Sequence, residues 1–146
     1  MNVLLQCVGC VTATVFFGVL LRQPRNTHLF TALIGLNGYL VFLLMGQGTY
    51  AYLVAGLLVG LLCELTARIR QMAATSFLIS AIIPLVPGLG LYRTMLYFVQ
   101  NNYDQAMTAG ADTLAAIMAL SLALTIATAV FNGIRIPIRD DHPPAP

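Results

Sequence analysis

Lysine and tryptophan are absent from this chain of 146 residues, and charge of either sign is scarce: seven arginines, five acids and two histidines. Charged residues make up 8% of it and hydrophobic residues 59%, against roughly 25% and 45–50% in an average soluble domain. So few charges cannot cover a soluble globule of this size, and its interior cannot hold so much apolar surface. That excludes a cytosolic enzyme and a disordered regulator. A net charge of +2 is too small for nucleic-acid binding, which needs several phosphates neutralised at once. There is no phosphate-cradling glycine loop, no zinc spacing and no Ser/His/Asp set, so neither an enzyme nor a cofactor site is expected. What remains is an integral membrane protein.

Cysteine is also sparse. Cys7, Cys10 and Cys63 form an odd set, all inside apolar runs. Cys7 and Cys10 make a C-x-x-C, a redox signature in a soluble βαβ setting. Here the two lie one helical turn apart with no His or acid near them, so they read as small packing residues and metal binding is not supported. Residues 1–21 lack the basic start of a signal peptide, and their apolar stretch is too long for one. Cys10 after Val-Gly is only faintly lipobox-like and comes too early. The segment reads as a retained transmembrane helix.

What is abundant is apolar sequence in lengths that match a bilayer, about 20 residues for a hydrocarbon layer of roughly 30 Å. The spacing predicts an all-α, polytopic protein of five spans, near residues 2–21, 28–46, 50–68, 71–92 (continuing to about 100) and 111–134. Arg22-Gln-Pro24-Arg25 and the turn Gly46-Gln-Gly48-Thr49 punctuate the first three. Residues 135–146 form a polar, proline-rich tail. Arg22, Arg25, Arg68, Arg70, Arg135 and Arg139 fall on one side of the predicted membrane and Arg93 alone on the other. The positive-inside rule then places the N-terminus outside and the C-terminus in the cytoplasm. Small residues are spaced for close helix approach: Gly56 and Gly60 after Ala51 and Ala55, and Ala111, Ala115, Ala119, Ala123 and Ala127 at every fourth position. Where lipid removes the hydrophobic drive, such stripes let backbones touch.

The fourth span differs from the rest. Ser80-Ala-Ile-Ile-Pro84-Leu-Val-Pro87-Gly88-Leu-Gly90-Leu-Tyr92-Arg93 holds two prolines and two glycines within seven positions. Each proline removes a donor and clashes with the carbonyl four residues back. A continuous helix from Gln71 to Gln100 would also run about 45 Å, well beyond the membrane. The prediction is a half-helix, a break and a second half-helix. Broken backbone at membrane depth is tolerated where protein buries it or water fills a cavity, and in transporters it creates substrate sites; the alternative is a kink of structural use only. Arg93 either snorkels to the outer interface or pairs with a carboxylate, from substrate or from Asp112. Tyr92 suits an interfacial belt. Asp112, near the expected start of the last helix, suits its dipole, with proton coupling as the alternative. Glu64 stands four residues before Arg68, the order for a local ion pair, with proton coupling as the alternative for an intramembrane acid. Asn37, between Gly35 and Gly38, is expected to find a partner on another helix. His28 and His142 fall at a membrane edge and in the tail.

Ile83-Pro84-Leu85-Val86-Pro87-Gly88 with Tyr92 and Met95 resembles the P-x-x-P-G-x-x-x-Y signature of the threonine/serine exporter (ThrE) family, in its short, YjjB-like membrane subunit. The resemblance continues through Leu96-Tyr-Phe-Val, Tyr103-Asp104, Ala106, Gly110 and Thr113. It implies a multi-pass protein of the bacterial plasma membrane and a larger partner subunit of the same family. It further implies export of threonine and serine, or of succinate in the split type, driven by the proton gradient. Carried over, Pro84, Pro87, Gly88 and Tyr92 are the motif that shapes the pathway; Arg93 is not part of the signature and joins the expected substrate pathway, with Gly90 and Asn37, on physical grounds alone. A non-transporting scaffold that stabilises the partner is the rival expectation, and homo-oligomers stay open.

Overall fold

We describe residues 3–24, 27–46, 48–71 and 74–133 of a computed structural model. Met1, Asn2, Arg25 and the tail with Arg135, Arg139 and His142 lie outside the described residues. Among those described the chain is all helical: α1 (Val3–Leu20), α2 (His28–Leu44), α3 (Thr49–Arg70), α4 (Ala74–Ile82), a 3-10 turn (Ile83–Leu85), α5 (Gly88–Val99) and α6 (Tyr103–Gly133). α3 and α6 are each long and apolar enough to cross a membrane. The bent pair of α4 with its 3-10 turn and α5 makes a third candidate, and α1 and α2 are shorter apolar helices.

The helices stop where local chemistry stops them. At Arg22 the backbone turns left-handed (φ 54°), and the amides of Arg22 and Gln23 bond back to the carbonyls of Val19 and Gly18 at 3.0 Å. Asn101 (φ 58°) ends α5 in the same way, its amide and that of Asn102 reaching the carbonyls of Phe98 and Tyr97. Both are Schellman caps, which satisfy carbonyls the helix end leaves bare. Gln71 (φ 53°) closes α3. The fourth segment therefore begins at Ala74 rather than 71.

Small residues set the packing. α3 is central, and its Ala55, Val59, Cys63 and Ala67 form one core with Ile34 of α2, Phe77 and Ala81 of α4, Leu85 and Leu120 of α6. A side chain at Gly38 would run into Val59 and meet Leu85, and one at Gly35 would meet Thr14 of α1 at 2.9 Å. Gly56 lies beside Leu120 and Ala123, and Gly60 beside Ala127 and Leu124. These neighbours advance in step, so α3 and α6 run parallel. The four-residue stripe on α6 drifts round the helix, since four residues overshoot a turn of 3.6. Ala119, Ala123 and Ala127 are buried, whereas Ala111 and Ala115 are exposed.

The last helix begins at Tyr103, eight residues before the predicted 111. The double asparagine supplies the turn, and Gly110 is an interior residue of α6, not its opening. A mid-helix glycine costs about 1 kcal/mol, but here it admits Thr94, whose methyl would lie 3.3 Å from a side chain at Gly110.

Candidate functional site

The interruption in the fourth segment is built by its prolines. Pro84 has no amide for the carbonyl of Ser80, and Pro87 none for that of Ile83. The Val86 amide takes over the Ile83 carbonyl at 3.3 Å, and the Gly88 amide closes a tight turn on Val86 at 2.7 Å. Helix resumes at Gly88, with the Leu91 amide on the Pro87 carbonyl. The two half-helices meet at 48°. Leu85 and Pro87 are buried and Val86 is exposed. One turn before Pro84, Ser80 is fully buried and its Oγ has no hydrogen-bond partner. The break predicted at Pro84–Gly88 is present, and protein covers part of it.

After the break the chain leaves the bundle. Within 8 Å between Cα atoms, α5 meets α6 and no other described element. The two form an antiparallel hairpin with a reciprocal seam: Gly90 takes Thr113, and Gly110 takes Thr94. Both threonine hydroxyls donate to their own helices, Thr94 to the Gly90 carbonyl (2.9 Å) and Thr113 to the Ala109 carbonyl (2.6 Å). The Thr94 methyl fills the seam at Gly110, and the Thr113 hydroxyl and methyl both fill it at Gly90. Sequence reasoning missed this seam; its signal was the glycine–threonine spacing on both helices.

The contacts of Gly56 and Gly60 place the first residue of α3 about level with Leu114. The hairpin therefore stands beyond the end of α3 by about 16 Å at 1.5 Å per residue. It exposes large apolar side chains: Leu89, Tyr92, Met95, Val99, Tyr103 and Met107 are each 58% or more exposed. A shallow open groove of about 250 Å³ runs between the helices, lined by Thr94, Phe98, Ala106, Met107, Gly110, Ala111 and Leu114.

The charges divide between the two ends. Gln23 and His28 both close on Gly18, which joins the end of α1 to the start of α2. Arg70 lies over the Phe30 ring at 4.4 Å, and Arg68 bonds the Phe131 carbonyl and faces its ring at 4.9 Å. Arg22, Arg68 and Arg70 thus share one end of the bundle, and Arg93 belongs to the hairpin at the other. A cation at a helix C-terminus suits the dipole, so Arg68 fastens α3 to α6.

Several expected pairings are not formed. Glu64, half-buried, makes no ion pair or hydrogen bond among the described residues, because Arg68 turns to Phe131 instead. Asn37 donates to Leu33 of its own helix at 2.8 Å on an exposed face, so no second helix receives it. Asp112 does not cap a helix start: it lies nine residues inside α6, and Asp104 holds the first turn. Arg93 and Asp112 are both exposed and form no ion pair. Tyr92 is exposed, and Gly88 has open space where a side chain would be.

Residues 6–130 match the family model described as "Threonine/Serine exporter, ThrE". The chain belongs to the threonine/serine exporter family. No curated protein and no solved structure gives a significant match. Membership brings an exporter-type transport role, with a membrane location that the apolar helices support, and it argues against an enzyme. Within this ThrE chain, the residues of the P-x-x-P-G pattern are those that interrupt the fourth segment and launch the hairpin.

Proposed function

We propose that this chain is the membrane subunit of a secondary transporter that exports small carboxylates or hydroxy amino acids with a larger partner subunit of its family. In this reading α1, α2, α3, the bent α4–α5 pair and α6 are five passes of a bacterial plasma (inner) membrane, N-terminus outside and C-terminus cytoplasmic. The observation that carries it is the helix interruption at Pro84–Gly88 in a chain of an exporter family. A half-helix starting at Gly88 leaves its first amides without helical partners, and that end carries partial positive charge for an anionic substrate group. Arg93, one turn on, and Tyr92 stand at the same end. Glu64, an acid in α3 with no ion pair among the described residues, is the candidate for proton coupling, with Asp112 second.

Co-expression with the partner, followed by threonine, serine and succinate efflux, tests this reading. Export should need both chains, and no change in flux on deleting this chain would refute it. Proton coupling loses its support if Glu64→Gln leaves pH-dependent flux unchanged. A scaffold role has its own observation, the unpartnered apolar surface of the hairpin. Full flux from the reconstituted partner alone would establish it.

A further inference from the structure

Resting on the transport reading, we propose that α1, α2 and α4 enclose a narrow file of buried water that carries protons between His28, at the arginine-bearing end of the bundle, and Ser80, one turn before the interruption. Six polar side chains are buried among the described residues. Thr113 belongs to the hairpin seam. The other five, Thr14, Gln23, Thr27, Thr31 and Ser80, come from α1, α2, the turn between them and α4. Two glycines set their order. His28 Nδ1 and Gln23 Oε1 each stand 2.9 Å from where a Gly18 side chain would begin. About two turns further along α2, or about 10 Å, Thr14 Oγ1 stands 2.9 Å and the Ala81 carbonyl 3.5 Å from the same position on Gly35. Thr31 lies between the two on α2, its hydroxyl set between the Thr27 carbonyl at 3.1 Å and Gln23 Oε1 at 3.3 Å. Ser80 adjoins Ala81 on α4.

Both ends of this row are unfinished. His28 Nδ1 and Ser80 Oγ are buried with no hydrogen-bond partner, and Pro84 has no amide for the Ser80 carbonyl. A buried polar atom without a partner is costly, most of all at membrane depth, and water supplies the partner where polar groups converge. His28 Nδ1 and Gln23 Oε1 flank one point, so one water can bridge them. The Thr14 and Thr27 hydroxyls donate to the carbonyls of Cys10 and Pro24, which leaves their oxygens as acceptors along the row. Side chains crowd Gly18 and Gly35 too closely for anything larger than water to pass. Of the groups around it, His28 is the one suited to exchange a proton. It is half-buried: the ring takes a proton from solvent, gives the Nδ1 proton to the first water and is neutral again. Among the described residues α1 and its turn bring the exposed Arg22, and the Cys10 thiol is turned to the Gly35 carbonyl. α3 brings Arg68 and Arg70, engaged with Phe131 and Phe30, and α4 has no charged side chain.

The test reconstitutes the chain with its partner subunit in liposomes, imposes a pH gradient and follows proton entry with a trapped pH dye, with and without threonine. Two substitutions of nearly one shape separate the hydroxyl from the space it fills. Ser80→Thr keeps the hydroxyl and should keep the proton flux. Ser80→Val should slow it at least about tenfold, the worth of one lost hydrogen-bonded link. His28→Ala should slow it as much, with partial recovery on adding imidazole. Unaltered elution of each variant on size exclusion guards against misfolding. Water-edited solid-state NMR of the chain in bilayers should show His28 and Ser80 in contact with water. Wild-type flux no greater than that of protein-free liposomes overturns the proposal. So do equal fluxes from Ser80→Thr and Ser80→Val, failure of imidazole to restore His28→Ala, or dry signals from His28 and Ser80. If proton flux follows these variants and no threonine moves, transport fails as the reading and the file stands.

Discussion

The two halves of α6 live in different surroundings. From Ala119 onward it lies against α3, where Gly56 and Gly60 bring the backbones together and Ala123 and Ala127 are fully buried. Before Thr113 it has α5 alone for company, and α5 has no buried residue. The first region shows how a membrane bundle holds together: small residues permit close approach, and dispersion and local hydrogen bonds do the rest. The second shows what the same chemistry builds when a helix is interrupted. Two helices share one narrow seam, and most of their apolar surface has no cover within the chain. A region of that kind contributes little to the stability of the fold.

Substitutions can break this contrast, and the largest effect belongs to the bundle. Gly60→Leu would drive a side chain into Ala127 and Leu124. Overpacking of this kind costs typically 1–3 kcal/mol or more, so purified protein should fall sharply in yield and unfold at lower temperature. Next comes Gly90→Leu, which meets Thr113. It should open the hairpin and spare the bundle. Cross-linking of a cysteine pair introduced at 98 and 106 should be lost while the melting temperature falls by less than in Gly60→Leu. An equal fall in both would show that the hairpin and bundle are one unit.

Arg68→Gln is expected to act more weakly. It removes the bond to the Phe131 carbonyl and the ring contact, worth about 1–2 kcal/mol together, and should fray the end of α6 in hydrogen exchange. Smallest of all is Gly88→Ala. The site has open space and an ordinary φ, so the added methyl should leave stability level or raise it by up to about 1 kcal/mol. A large loss of stability there would mean that the break is packed more tightly than its surroundings indicate.

The contrast also explains what could be read from the sequence. The interruption at Pro84–Gly88 was legible because proline and glycine act locally, through a missing amide and a free backbone. The Gly56 and Gly60 face was legible from its spacing. What failed depended on distant partners. Glu64 and Arg68 look like a helical pair, but the partner of Arg68 lies 63 positions away. Asn37 looked as if it needed a second helix and was satisfied by Leu33. Asp112 suits a helix start in sequence, but α6 begins at Tyr103, and Thr94, across the seam, is what gives Gly110 its place inside the helix. The exposure of Ala111 and Ala115 follows from the drift of a four-residue stripe, which sequence shows only once the partner helix is known.

The central claim is that the interruption shapes the export pathway, and efflux from cells expressing both subunits tests it most directly. Pro84→Ala with Pro87→Ala restores two amides and should let α4 run on toward α5. Threonine and serine efflux should then fall at least about tenfold, roughly the effect of 1.4 kcal/mol, with the amount of protein in the membrane unchanged. Wild-type flux from that double variant would contradict the claim.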